Sequence, residues 1–178
     1  GAFATMLRGH RGDAAVLTEP TSGRIIVANA GALTFELRVA GRAAHGSTRL
    51  EGHSAFEAFL PIYAALHELE RERNTHPHSL FDGTALPYPI SVGTIRAGDW
   101  ASSVPDLLIA EGRMGVQLGE PPAEARAALE RALARVSESD AWLRDHPVEL
   151  SWPGGQFASG RIAGDDPLIA DTAAVIAD

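Results

Sequence analysis

The sequence predicts an α+β protein built on one antiparallel sheet with its helices on a single face. Three observations predict it. Leu33, Phe35, Leu37 and Val39 alternate with Thr34, Glu36 and Arg38, the two-residue period of a strand with one buried side. Two longer segments, 54–72 and 121–136, instead repeat their apolar residues at helical spacing. From residue 33 onward these patterns interleave as β-α-β-β-α-β, the order of a ferredoxin-like, four-stranded antiparallel sheet with two helices on one face. The alternating strands need only one covered side, so the other face of the sheet stays wet.

Each element follows from local chemistry. Ala2–Arg8 reads as a short apolar helix closed by Gly9, since glycine accepts the left-handed conformation of a C′ position. Asp13–Thr18 (DAAVLT) does not alternate, which suits a strand covered on both faces. It leads into Glu19 and Pro20, at the strand end where open α/β sheets gather ligands. Arg24–Asn29 reads as another short strand. After the alternating strand the chain turns at Gly41 and presents His45 between Ala44 and Gly46, an imidazole on a loop of small residues. Ser54 and Glu57 match a capping box. The helix they open carries Phe56, Phe59, Leu60, Tyr63, Leu66 and Leu69 on a broad apolar face, with a kink expected at Pro61.

Asn74–Pro87 is a polar loop whose His76 and His78 have no third ligand near them, so they read as solvated. Pro89–Ala97 is the second strand, Gly98–Pro105 a turn, and Leu107–Gln117 the third strand. Pro121 and Pro122 open a second helix with Ala125, Leu129, Leu133 and Val136 on its stripe, because proline is tolerated in a first turn. Asp140–Leu143 is a separate turn, and Val148–Trp152 is the fourth strand. The expected core is Phe35, Leu37, Phe59, Tyr63, Leu108, Met114, Leu129, Leu133 and Leu150. The strand order puts the second strand at an edge, where Arg96 is its sole charge. Such an edge is a template for another chain. A homodimer through strand 89–97 and helix 54–72 is therefore expected.

Composition narrows the function. At 178 residues with 45% hydrophobic and 21% charged residues, the chain is an ordinary globular one. A net charge of −8 argues against a nucleic-acid partner, since that affinity rests on Lys and Arg at phosphates. No apolar run approaches the ~20 residues that span a bilayer. The absence of cysteine excludes disulfides and thiolate chemistry. Gly1–Met6 lacks a signal-peptide pattern and both ends read as interrupted helices. A fragment of a longer, cytoplasmic protein is the expectation, with residues 1–32 and 153–178 as strips of an α/β domain flanking an inserted domain at 33–152.

The stretches DAAVLTEPT, GRAAHGS, SVPD and EGRMGV, in that order and separated by a helix and a strand, resemble the co-catalytic zinc aminoacylase and carboxypeptidase family. Acetylornithine deacetylase, succinyl-diaminopimelate desuccinylase and glutamate carboxypeptidase are members. The resemblance implies the dimerisation (lid) domain of a zinc-dependent amide hydrolase acting on N-acyl amino acids or short peptides. By the same resemblance Glu19 is a ligand of one of two zinc ions. His45 reaches across a dimer interface and steadies the oxyanion in the partner's site, and Arg113 faces the substrate carboxylate. Ser103 stands where the family usually has a substrate-contacting asparagine. The remaining ligands and the general base lie outside the segment, so the fragment alone should be inactive and bind no zinc tightly. The rival reading is a non-enzymatic ferredoxin-like module that dimerises or binds a small ligand.

Overall fold

In the computed structural model, residues 2–18 and 21–177 are described. Glu19, the expected metal ligand, lies outside them. The chain divides into two compact units, Gly1–Val27 with Ile162–Asp178, and Ala28–Arg161.

The smaller unit contains helices Ala2–Leu7 and Pro167–Ala177 and the hydrogen bond from Ile162 N–H to Val27 O (2.9 Å). Gly9 ends the first helix at φ +90°, as its place after an apolar turn requires. The strand expected at Asp13–Thr18 is not formed: residues 14–18 are irregular. An apolar run becomes a strand only when a neighbour takes its backbone hydrogen bonds, and none does so among the described residues. The strand expected at Arg24–Asn29 contracts to Ala28–Asn29 in the larger unit, paired with Gly160–Arg161.

The larger unit is α+β. Its elements are β1 (Gly31–Ala40), α1 (Ala55–Arg73), β2 (Ile90–Ala97), β3 (Leu107–Val116), α2 (Pro122–Ser139), β4 (Glu149–Ser151) and β5 (Gln156–Phe157). The sheet is antiparallel in the order β2-β3-β1-β4. The two-residue β5 also pairs with β1, so there are five strands where four were expected. β1 and β3 pair along their full length, from Gly31 opposite Val116 to Ala40 opposite Leu107. Leu33, Phe35, Leu37 and Val39 are fully buried on the helix side, as the alternation requires. The ring of Phe35 lies over Gly112, where a Cβ would come within 2.3 Å of Cζ. In β2 the pairing shifts between Val92 and Thr94, a bulge at Gly93 that reverses which face successive side chains take. Val92 before the bulge and Ile95 after it are thereby both on the helix side.

Helix α1 begins as the capping box predicts: Ser54 Oγ accepts from Glu57 N–H at 3.3 Å. The Glu57 carboxylate does not reach back to the cap, however; it pairs with Arg49 at 3.0 Å. The helix runs unbroken through Pro61. Its buried face is narrower than the expected apolar one and is rotated toward Ala55, Ala58 and Ile62. Ala55, Ala58, Phe59, Ile62, Leu66 and Leu69 are buried, whereas Phe56, Leu60 and Tyr63 are 49%, 50% and 42% exposed. Tyr63 therefore leaves the expected core and Leu150 is only half-buried; the other expected core residues are buried in one cluster.

One polar network closes the far end of α1. Arg73, 7% exposed, donates from Nη1 and Nη2 to the Glu120 carboxylate at 3.0 and 2.5 Å and from Nη2 to Gly115 O at 3.0 Å. Gln117 N–H donates to the same carboxylate at 2.8 Å, and Gln117 Nε2 donates to Arg73 O at 2.6 Å. Arg73 Nε is buried and has no hydrogen-bond partner among the described residues.

Candidate functional site

The loop between β1 and α1 is welded at its base. Arg42 and His53 exchange both backbone hydrogen bonds, at 2.7 and 2.9 Å. Gly41 must be glycine there, since a Cβ would lie 2.5–2.7 Å from His53 O, Ala55 N and Pro105 O. Trp142, in the short helix Ala141–Asp145, covers this base. Its Nε1 donates to Ala40 O at 2.9 Å, and its ring stacks between His53 (4.1 Å) and His146 (3.9 Å) with the Arg42 guanidinium 5.6 Å from its centre.

Above that base the two-residue strand Ala44–His45 pairs with Ser103–Val104. Gly46 N–H donates to Ser102 O at 2.7 Å. The chain then enters a 3₁₀ turn, Gly46–Glu51, for which His45 is the N-cap: its Nδ1 accepts from Ser47 N–H at 3.2 Å and lies 2.7 Å from Ser47 Oγ. A backbone N–H can only donate, so in the neutral ring Nδ1 is the bare nitrogen and Nε2 carries the hydrogen. The capping contact thus leaves an exposed imidazole with its N–H donor free of the turn.

Ser103 is beside His45, but its hydroxyl is committed locally. Oγ donates to Trp100 O at 2.8 Å, and Ser103 N–H donates to the same carbonyl at 3.1 Å. The Trp100 indole, 60% exposed, lies with its ring centre 5.6 Å from the imidazole at a tilt of 60°. Two clefts adjoin this cluster. One of about 340 Å³ lies between the 3₁₀ turn and the start of α1, with Arg49, His53, Ser54 and Glu57 in its wall. The other, about 390 Å³, is bounded by Ala97, Gly98, Asp99, Trp100 and Pro105.

Arg113 is elsewhere. It is exposed on the sheet face away from the helices, between Thr34 and Ser91, with no ion pair among the described residues. At ~3.3 Å per residue it lies about 20 Å along β3 from Leu107, and the His45 cluster lies beyond the Leu107 end. The structure therefore brings His45 and Ser103 together and keeps Arg113 apart. The described residues contain no group of three or more His, Asp or Glu side chains that could hold a metal ion. Trp100 and Trp142 were missed by sequence reasoning. A large aromatic in a Gly-Asp-Trp turn is a signal for Trp100, whereas Trp142 gave none, being remote in sequence from the loop it covers.

Residues 27–141 match the model of the M20 family's peptidase dimerisation domain. The chain belongs to that family. The M20 dimerisation domain so defined contains His45, Ser103 and Arg113. The "Probable carboxypeptidase" of Aspergillus flavus is 30% identical over 126 residues, covering 70% of this chain and 30% of the relative. The corresponding protein of Aspergillus oryzae matches equally. Among solved structures, an amidase of the hydantoinase/carbamoylase family from Burkholderia phymatum has TM-score 0.59 at 19% identity, over 84% of this chain and 34% of its own. A Staphylococcus aureus tripeptidase has TM-score 0.59 at 14% identity, over 87% and 38%. At such identities these likenesses show a shared fold. The chain spans about a third of the length of such relatives, and the parent family is hydrolytic. No helix among the described residues is long and apolar enough to cross a membrane.

Proposed function

We propose that this chain is the dimerisation and lid portion of a zinc-dependent amide hydrolase that cleaves N-acyl amino acids or short peptides. The match of residues 27–141 to the peptidase dimerisation domain carries the reading. The strand order β2-β3-β1-β4 supports a ferredoxin-like core, here extended by β5. The smaller unit supports its assignment as strips of a catalytic α/β domain: Phe3, Leu7, Val16, Leu17 and Val175 are each more than 60% exposed, surface that further chain would cover.

The described residues do not make a metal site. The two zinc ions implied by the family resemblance would need ligands from outside this chain together with Glu19. On this reading the chain alone is inactive. Its own residues have two tasks. His45 Nε2–H donates to the oxyanion that develops as the amide is attacked, a contact worth about 3 kcal/mol in comparable sites. Arg113 pairs with the substrate carboxylate, for which a guanidinium offers two parallel donors. The strand-length separation between them exceeds the span of an amino acid, which supports their serving one site from two different chains.

Self-association through β2 and α1 supplies the second chain. β2 is an edge strand, and the exposed Phe56, Leu60 and Tyr63 line one side of α1 at i, i+4 and i+7. Complementation tests the whole reading. In the full-length enzyme, His45→Ala and Arg113→Ala should each be nearly inactive alone. Mixed, dissociated and reassociated in equal amounts, they should recover about a quarter of wild-type activity, because half the dimers are mixed and each has one intact site. Recovery of none would mean that His45 and Arg113 do not meet across chains.

A further inference from the structure

We propose that Trp100 sets the specificity of the hydrolase, favouring substrates whose substituent on the scissile carbonyl is uncharged, planar and apolar. The inference rests on His45 as the oxyanion donor. A carbonyl oxygen accepting from His45 Nε2 lies ~2.9 Å from it. The group attached to that carbonyl then comes within reach of an indole centred 5.6 Å from the imidazole.

Three features separate Trp100 from an incidental surface aromatic. The first is its freedom. Trp142 and Trp152 are half-buried, with Trp142 Nε1 bonded to Ala40 O and Trp152 edge-on to Phe35 at 6.5 Å. Trp100 is 60% exposed, and its indole N–H has no hydrogen bond among the described residues.

The second is rigidity. The turn carrying Trp100 starts at Gly98, φ +70°, and closes through the two bonds from Ser103 to the Trp100 carbonyl. Ser103 is itself paired with His45, so the indole and the imidazole are carried on one piece of backbone. The backbone is held there, and an aromatic side chain has few rotors of its own to freeze, so it contributes contact area at low entropic cost.

The third is the cleft beside it. It is a depression of about 390 Å³, largely open to solvent, and beside Trp100 and Asp99 its lining is Ala97, Gly98, Ala101, Ser103 and Pro105, small residues that leave a flat group access to the indole. The one charge there is Asp99, with no Arg or Lys, so an anionic substituent such as succinyl is disfavoured while a neutral ring stacks on the indole. The substrate's own carboxylate is left to Arg113.

The test uses the zinc-loaded full-length enzyme with the N-benzoyl, N-acetyl and N-succinyl derivatives of one amino acid. Wild type should prefer benzoyl over both others in kcat/KM. Trp100→Ala should lower kcat/KM for the benzoyl substrate about tenfold or more while changing the acetyl substrate less than about threefold, the size of effect one apolar pocket contact gives. Trp100→Phe should restore most of the preference. In saturation-transfer NMR, the benzoyl protons of a bound, uncleaved N-benzoyl amino acid should be saturated through wild type and much less through Trp100→Ala. Equal losses on all three substrates would mean that Trp100 only supports His45 and would overturn the proposal, as would an unchanged benzoyl-to-acetyl ratio. A shift confined to the sedimentation dimer constant would assign Trp100 to the interface and equally overturn it. If wild type hydrolysed none of the three, nor a dipeptide ending in the same amino acid, that would instead overturn the amide-hydrolase reading beneath it.

Discussion

Removing the Glu120 carboxylate should be among the most damaging single changes in the larger unit. Glu120 accepts from both terminal nitrogens of Arg73 and from Gln117 N–H, and the two side chains are 12% and 7% exposed. In Glu120→Ala the guanidinium stays buried with Gly115 O as its one acceptor among the described residues, beside an Nε that has none among them. Breaking a buried pair by deleting one partner costs about 3–5 kcal/mol, mostly as the uncompensated charge. At ~3 °C per kcal/mol for a chain of this size, the midpoint of thermal unfolding should fall by roughly 10 °C. Glu120→Gln should lose almost as much, because its amide group must turn a donor toward Arg73 or Gln117 N–H. Arg73→Met with Glu120→Leu removes both charges and should cost less than Glu120→Ala alone. Burial also predicts that the loss changes little with added salt. Urea unfolding followed by circular dichroism measures all three variants. A loss under ~1 kcal/mol for Glu120→Ala, or a double variant worse than the single, would refute the reasoning.

Three further outcomes are expected. Leu60→Glu with Tyr63→Glu, both on the exposed side of α1, should give a folded monomer by sedimentation; a dimer persisting at ~100 μM would remove α1 from the interface. Val92 is unsuitable for the same purpose because it packs on the core, so a charge there would be read as misfolding. Gly112→Ala should destabilise by about 1–3 kcal/mol in urea, because the new methyl meets Phe35 Cζ and Ser91 O, and Phe35→Leu should recover part of it; full stability would mean that the ring moves freely. Trp142→Ala should speed hydrogen exchange at the Arg42 and His53 amides, since it uncovers the loop base; unchanged exchange would show that the backbone bridge holds alone.

What the sequence made legible was local. The alternation of Leu33 to Val39 needs no distant partner to be read, and all four residues are buried. On α1 the helical period marks too broad a face, because side-chain size does not separate Phe59, Leu66 and Leu69, which are buried, from Phe56, Leu60 and Tyr63, which are not. Ala55, Ala58 and Ile62 share the buried side with the first three. In β2 the bulge at Gly93 changes the period partway, and a two-residue pattern cannot register a change of face within eight residues. At the site, His45 could be found from its Gly-bounded loop. Its neighbours were harder: the Gly-Asp-Trp turn marks Trp100 as an exposed aromatic, but its place beside His45 comes from the pairing of Ser103 with His45, and Trp142 arrives through a hydrogen bond to Ala40, contacts that only the folded chain creates.

The central position of β1 also dictates an order of assembly during synthesis. Its neighbours are both late: Ala40 pairs with Leu107, and Arg38 with Glu149. At ~5–20 residues per second, β1 leaves the ribosome several seconds before β3 and longer still before β4. In that interval Leu33, Phe35, Leu37 and Val39 form an apolar ribbon with both hydrogen-bonding edges open, the kind of segment that holdase chaperones retain. Helix α1 is the first element able to cover it. The β2–β3 hairpin then closes one edge, and the other stays open until Ser151 and Phe157 emerge. A chain released near residue 141, where the family match ends, would keep that edge permanently unpaired and should aggregate rather than dimerise.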